Sequence, residues 1–196
     1  MNKAKLKRMT SIALLMALVL VMQVISSVIP PVSGFSISLV LIPIVMGAAL
    51  YGPSAGALLG VTFGVVVFVN CVTGADLGGH MVFQANPYLC MLVVIGKGAL
   101  AGLTSGWIYK LFSSKNGYFA MVLAAIVCPL VNTGTFVVCM LLLFREVLSV
   151  WATAAGADMI TYIFSGLLLM NFVPELIINI LFSPAGQRIL HVVKKK

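Results

Sequence analysis

Apolar and polar positions divide the chain into long oily runs separated by short polar punctuation. Six runs are readable, at about residues 9–29, 35–50, 54–69, 87–111, 118–144 and 159–182. The breaks carry turn and helix-stop residues: Pro30-Pro31 after the first run, Tyr51-Gly52-Pro53 between the second and third, Ser113 to Gly117 between the fourth and fifth, and Ser183-Pro184 after the sixth. Pro87 opens the fourth run at a favoured first helical position. Two longer polar stretches, Asn70 to Asn86 and Arg145 to Asp158, read as loops. A bilayer core takes roughly 20 apolar residues as a helix, whereas barrel strands alternate over segments of about ten residues. The pattern therefore predicts an all-α integral membrane protein, one domain over residues 1–196, with six transmembrane helices.

Inside the runs, small and polar residues recur at helical spacing. Gly52, Gly56, Gly60 and Gly64 come every fourth residue, as do Gly98, Gly102 and Gly106. Small residues at that interval form a groove that lets a second helix backbone approach closely. Ala13 and Ala17 repeat the spacing in the first run. Three runs also carry polar stripes. Asn86, Cys90, Lys97 and Thr104 share a face of the fourth, Cys128, Asn132, Thr135 and Cys139 a face of the fifth, and Asn171, Glu175 and Asn179 a face of the sixth. Lipid cannot satisfy such groups, so the stripes are expected to face inward.

Composition agrees with the pattern: 62% of residues are hydrophobic and 8% charged, with a mean hydropathy of +1.18. A soluble domain could not cover that much apolar surface. A net charge of +8 would point to nucleic acid in a soluble protein. Here the charge sits at run ends and orients the chain instead. With the N-terminus inside, Lys3, Lys5, Lys7, Arg8, Lys110, Lys115, Arg188 and Lys194 to Lys196 are cytoplasmic, while Asp76, Glu146 and Asp158 lie outside. Both termini are then cytoplasmic and both long loops face outward. The basic N-terminus has the look of a signal n-region. The run behind it is long enough to span and shows no small-residue cleavage site, so it reads as the first membrane helix. Cys71, Cys90, Cys128 and Cys139 show no paired spacing and read as packing residues.

The candidate chemistry lies in Lys97 and Glu175. A charge at bilayer depth costs roughly 2.5–3.5 kcal/mol on the insertion scale, which marks a site or a buried pair. One reading is that the stripes only glue helices, with Lys97 paired to Glu175. The other is a ligand pocket near the outer half of the membrane, lined by Lys97, Asn86, Asn132, Asn171 and Glu175. The two loops would cap it with Gln84, Tyr88 and Trp151, flanked by His80 and Phe83. Rings with polar edges suit a small amphipathic molecule, and Lys97 suits an anionic group on it. No phosphate-cradling loop, His-Glu-x-x-His or Ser-His-Asp set is present. The chain is thus expected not to be an enzyme, and to use neither metal nor cofactor.

The string Ile37-Ser-Leu-Val-Leu-Ile-Pro-Ile-Val-Met-Gly-Ala-Ala-Leu-Tyr51-Gly-Pro-Ser-Ala-Gly-Ala57 follows a basic N-terminus and the Ala13, Ala17 pair. Together with Asn86-Pro87, Gly96-Lys97-Gly98-Ala-Leu-Ala-Gly102 and Asn132-Thr-Gly134, it resembles the substrate-binding S component of an energy-coupling factor (ECF) vitamin transporter. The resemblance implies a six-helix bundle in the bacterial cytoplasmic membrane that binds its vitamin on the extracellular side. Ala13 and Ala17 would dock onto a transmembrane coupling subunit, driven by two ATPase subunits that hydrolyse ATP. The S component would topple to release its substrate inside. The Asn86-Pro87 segment is similar to pantothenate-type members, and Lys97 suits a carboxylate. Riboflavin, folate and cobalamin remain open, as does a self-sufficient secondary carrier. A non-transport role, such as an assembly factor, predicts no small-molecule binding at all.

Overall fold

The computed structural model describes residues 3–28 and 40–195. The Pro30-Pro31 stop and the start of the second run lie outside the described residues. Among the described residues ten helical segments follow one another: α1 (Lys3–Val28), α2 (Leu41–Tyr51), α3 (Pro53–Thr73), α4 (Leu77–Ala85), α5 (Pro87–Phe112), α6 (Gly117–Leu143), α7 (Arg145–Ala154), α8 (Met159–Tyr162), a π-helical segment (Ile163–Phe172) and α9 (Val173–Lys195). α8, the π segment and α9 form one rod. Five described helices are long and apolar enough to cross a membrane. α2, at 11 residues, covers only about 16 Å at 1.5 Å per residue. A sixth full span is therefore not seen among the described residues.

The expected glycine grooves meet each other. A Cβ on Gly60 would lie 2.0 Å from the Gly98 carbonyl oxygen, and one on Gly102 would lie 2.0 Å from that of Gly56. The α3 and α5 backbones are thus in direct contact, antiparallel, which only glycine permits. Gly52 makes the turn between α2 and α3 at a φ of 93°, a conformation that costs an L residue strain.

Contacts place the described chain ends together. At one end of the bundle Arg8 Nη2 donates to the Tyr51 carbonyl at 3.1 Å, and Pro53 packs on Gly106. There too the Tyr109 hydroxyl donates to Gln187 Oε1 at 3.4 Å. Lys110, Lys115 and Arg188 lie near this end, so it is the basic end. The opposite end carries α4 and α7.

Two sequence expectations are corrected. The stretches read as loops contain helices. α4 is capped by Asp76, whose Oδ1 accepts from Gly79 N at 3.1 Å. α7 is amphipathic and buries Val147, Leu148, Trp151 and Ala152, four residues at helical spacing whose packing outweighs the polar composition around them. Trp151 Nε1 donates to Met81 Sδ at 3.3 Å, tying α7 to α4. Past α7, the exposed Asp158 caps α8, and hydrogen bonds from the Thr161 hydroxyl and backbone hold its carboxyl below the usual range. Second, the last helix does not stop at Ser183-Pro184. Pro184 has no N–H for the Ile180 carbonyl, but Ser183 Oγ donates to that oxygen at 2.8 Å, so the helix continues through the proline. Ser183→Ala is expected to cost about 1–2 kcal/mol by orphaning that part-buried acceptor. The loss should vanish in a Pro184→Ala background, as read by thermal unfolding in detergent.

Candidate functional site

A cavity of about 90 Å³ lies between α1, α3, α5, α6 and the π–α9 rod, covered at its end by α4 and α7. One water needs about 10–15 Å³ on this scale, so the space holds several waters or part of a compact ligand. α5 supplies Lys97, α6 supplies Asn132 and Phe136, the π segment Asn171, α9 Glu175, and α7 Trp151. The three polar stripes therefore do converge. They meet because the α3–α5 glycine contact draws α5 inward, and because α6 packs between α5 and α9.

The Lys97 ammonium lies over the Phe136 ring, 4.5 Å from its centroid. It is attracted electrostatically by Glu175 and Asp76, both lining the same cavity. Among the described residues no carboxylate forms an ion pair with it. Glu175 is 2% exposed, and its backbone carbonyl accepts from Asn179 Nδ2 at 2.8 Å. Asn132 is 4% exposed, and its Oδ1 has no hydrogen-bond partner among the described residues. The arrangement offers a cation, an aromatic face and amides to a small guest.

Asn86, Gln84 and Tyr88, expected with these residues, lie outside the cavity. Asn86 caps α5, its Oδ1 accepting from Leu89 N at 3.1 Å. Tyr88 is 82% exposed. Gln84 is exposed and its Nε2 lies 2.9 Å from His80 Nε2. His80 Nδ1 faces the Cys71 carbonyl at 2.8 Å. A carbonyl only accepts, so Nδ1 carries the proton, and a neutral ring accepts from Gln84 through Nε2. His80 and Gln84 thus order the α4 cover rather than line the space beneath it. The cavity wall also includes residues the polar stripes did not name, among them the polar Gln23, Asn70 and Asp76 and the aromatic Phe136. Phe136 stands four residues beyond Asn132 and shares its stripe, a signal that attention to polar residues alone passed over. Ala13 and Ala17 are exposed on α1, on a face the bundle leaves uncovered.

The family model for the ECF transporter, substrate-specific component, matches residues 7–185. The chain belongs to this family. No curated protein matches the sequence. As an S component it is a multi-pass membrane protein and the substrate-specific part of a transporter. Membership brings with it a small-molecule substrate and ECF partner subunits in general.

Proposed function

We propose that this S component captures a small carboxylate-bearing vitamin, pantothenate or a close analogue, in the cavity beneath α4 and α7. It would hand this vitamin to an ATP-driven importer in the bacterial cytoplasmic membrane. The observation that carries the reading is the placement of Lys97: an ammonium over an aromatic ring, on the wall of a cavity also lined by Asn132, Asn171 and Glu175. A bound carboxylate offsets the cost of keeping that charge out of water. The modest volume favours a compact vitamin over a corrinoid. The α4–α7 cover lies opposite the basic end, which the positive-inside rule assigns to the cytoplasm, so loading is from outside.

ATP is hydrolysed by two partner ATPase subunits, and this chain needs no cofactor of its own. The exposed Ala13–Ala17 face of α1 docks onto the transmembrane coupling subunit, small residues letting the two backbones close up. Ala13→Trp is expected to leave ligand binding within about twofold and to reduce uptake by the full complex more than tenfold. Uptake at the wild-type rate would remove that docking assignment.

Native mass spectrometry of the purified protein tests the main reading. A retained carboxylate vitamin supports it. A neutral retained molecule, or concentrative uptake by vesicles holding this chain alone, would overturn it.

A further inference from the structure

From the Lys97–Phe136 geometry we infer that Phe136 is a positioning residue that keeps the Lys97 ammonium oriented and uncommitted for an anionic guest. The inference rests on the reading above and narrows it, because it makes the charge of the guest the property the site selects.

An ammonium on the wall of a membrane-embedded cavity needs compensation. Its most direct source is a carboxylate in contact, but a contact carboxylate cancels the very charge that a ligand anion would use. An aromatic face works differently. Its quadrupole attracts the cation yet carries no net charge, so the field reaching a guest on the ammonium's open side remains. The ring centroid lies 4.5 Å from Nζ, within the roughly 6 Å range of that attraction. Glu175 and Asp76 also attract the lysine, but among the described residues neither forms an ion pair with it. Phe136 is also well mounted for the purpose. It sits one turn beyond Asn132 on α6, so ring and amide are presented from the same helix face. Lys97 itself lies between Gly96 and Gly98, of which Gly96 has nothing within 4 Å of an added Cβ. Its immediate neighbours therefore do little to restrain a long flexible side chain, and the ring supplies that restraint.

Three variants separate positioning from packing. Phe136→Leu keeps an apolar side chain and removes the quadrupole, while Phe136→Trp and Phe136→Tyr keep an aromatic face. The probes are pantothenate, biotin and nicotinate, each paired with its neutral alcohol or amide, titrated calorimetrically into detergent-solubilised full-length protein. Phe136→Leu is expected to weaken the bound carboxylate about 3- to 30-fold and to leave the affinity of its neutral counterpart unchanged. The aromatic variants should stay within about threefold of wild type. A second readout needs no ligand: the Lys97 CεH2 protons should show an upfield ring-current shift by NMR, absent in Phe136→Leu. Equal losses for charged and neutral probes, aromatic variants no better than leucine, or a Lys97 resonance without a ring-current shift would each overturn the inference. Should wild-type protein bind none of the carboxylates, the functional reading fails with its anion selectivity, and the resonance still decides whether the ring holds the lysine.

Discussion

Lys97→Met is expected to abolish retention of the ligand on purification and to weaken binding of a carboxylate vitamin by roughly 30-fold to more than 1,000-fold. That range corresponds to about 2–5 kcal/mol, the usual cost of deleting one partner of a desolvated charge pair. Methionine matches the apolar stem of lysine as far as Cε and places no new charge against Phe136, Glu175 or Asp76. The unliganded protein should therefore fold and elute as wild type, with a melting temperature equal or higher, because an ammonium at membrane depth is itself costly. Affinity by calorimetry and melting by tryptophan fluorescence check the two halves. Unchanged affinity together with a lower melting temperature would make Lys97 a structural residue and remove the anion site.

Gly60→Val carries the second large effect, on folding rather than binding. Any Cβ at this position lies 2.0 Å from the Gly98 oxygen and 2.5 Å from its carbonyl carbon. These are backbone atoms of a regular helix, with no side-chain rotation to relieve the clash, so α3 and α5 must separate along their length. The cost is set at or above about 3 kcal/mol, the upper end for overpacking. Because α5 carries Lys97 and α3 forms the facing wall, the cavity should be lost as well. Gly96→Ala is the control. One residue from Lys97, it meets nothing within 4 Å, and it should leave stability unchanged or raise it by up to about 1 kcal/mol through helix propensity. The check is monodispersity and thermal unfolding of the three proteins in one detergent. A well-folded Gly60→Val protein would refute the contact between the two backbones.

Much of the architecture was legible because a membrane imposes strong rules. The runs near 87–111 and 118–144 became α5 and α6 almost residue for residue, and the glycine repeats marked two faces of close backbone approach, though not that they meet each other. The polar stripes named Lys97, Asn132, Asn171 and Glu175, all of which line one cavity. The losses came where local and tertiary forces disagree. Asp76 looked like a residue of a solvated loop and is an N-cap turned toward the cavity. Asn86 has the right periodicity for the Lys97 face, but it stands at the helix end, where orphan backbone N–H groups claim its side chain. Gln84 and Tyr88 lie within a few residues of the cavity wall in sequence and turn away from it. Ser183-Pro184 reads as a stop in any sequence, and only the serine hydroxyl on the Ile180 carbonyl lets the helix proceed.

By itself the sequence determined that the chain lives in a membrane, where its helices run, which faces are small or polar, and that its rare buried charges have to be compensated. Those properties follow from hydrocarbon length and from the cost of unsatisfied polar groups, which act on each segment separately. The tertiary structure alone decided which polar residues share a cavity, that the polar stretches fold as α4 and α7 over it, and that Lys97 meets an aromatic face. Such choices depend on the rotation and height of each helix against its neighbours, set by close-packed contacts between residues far apart in the chain, and no local pattern encodes them.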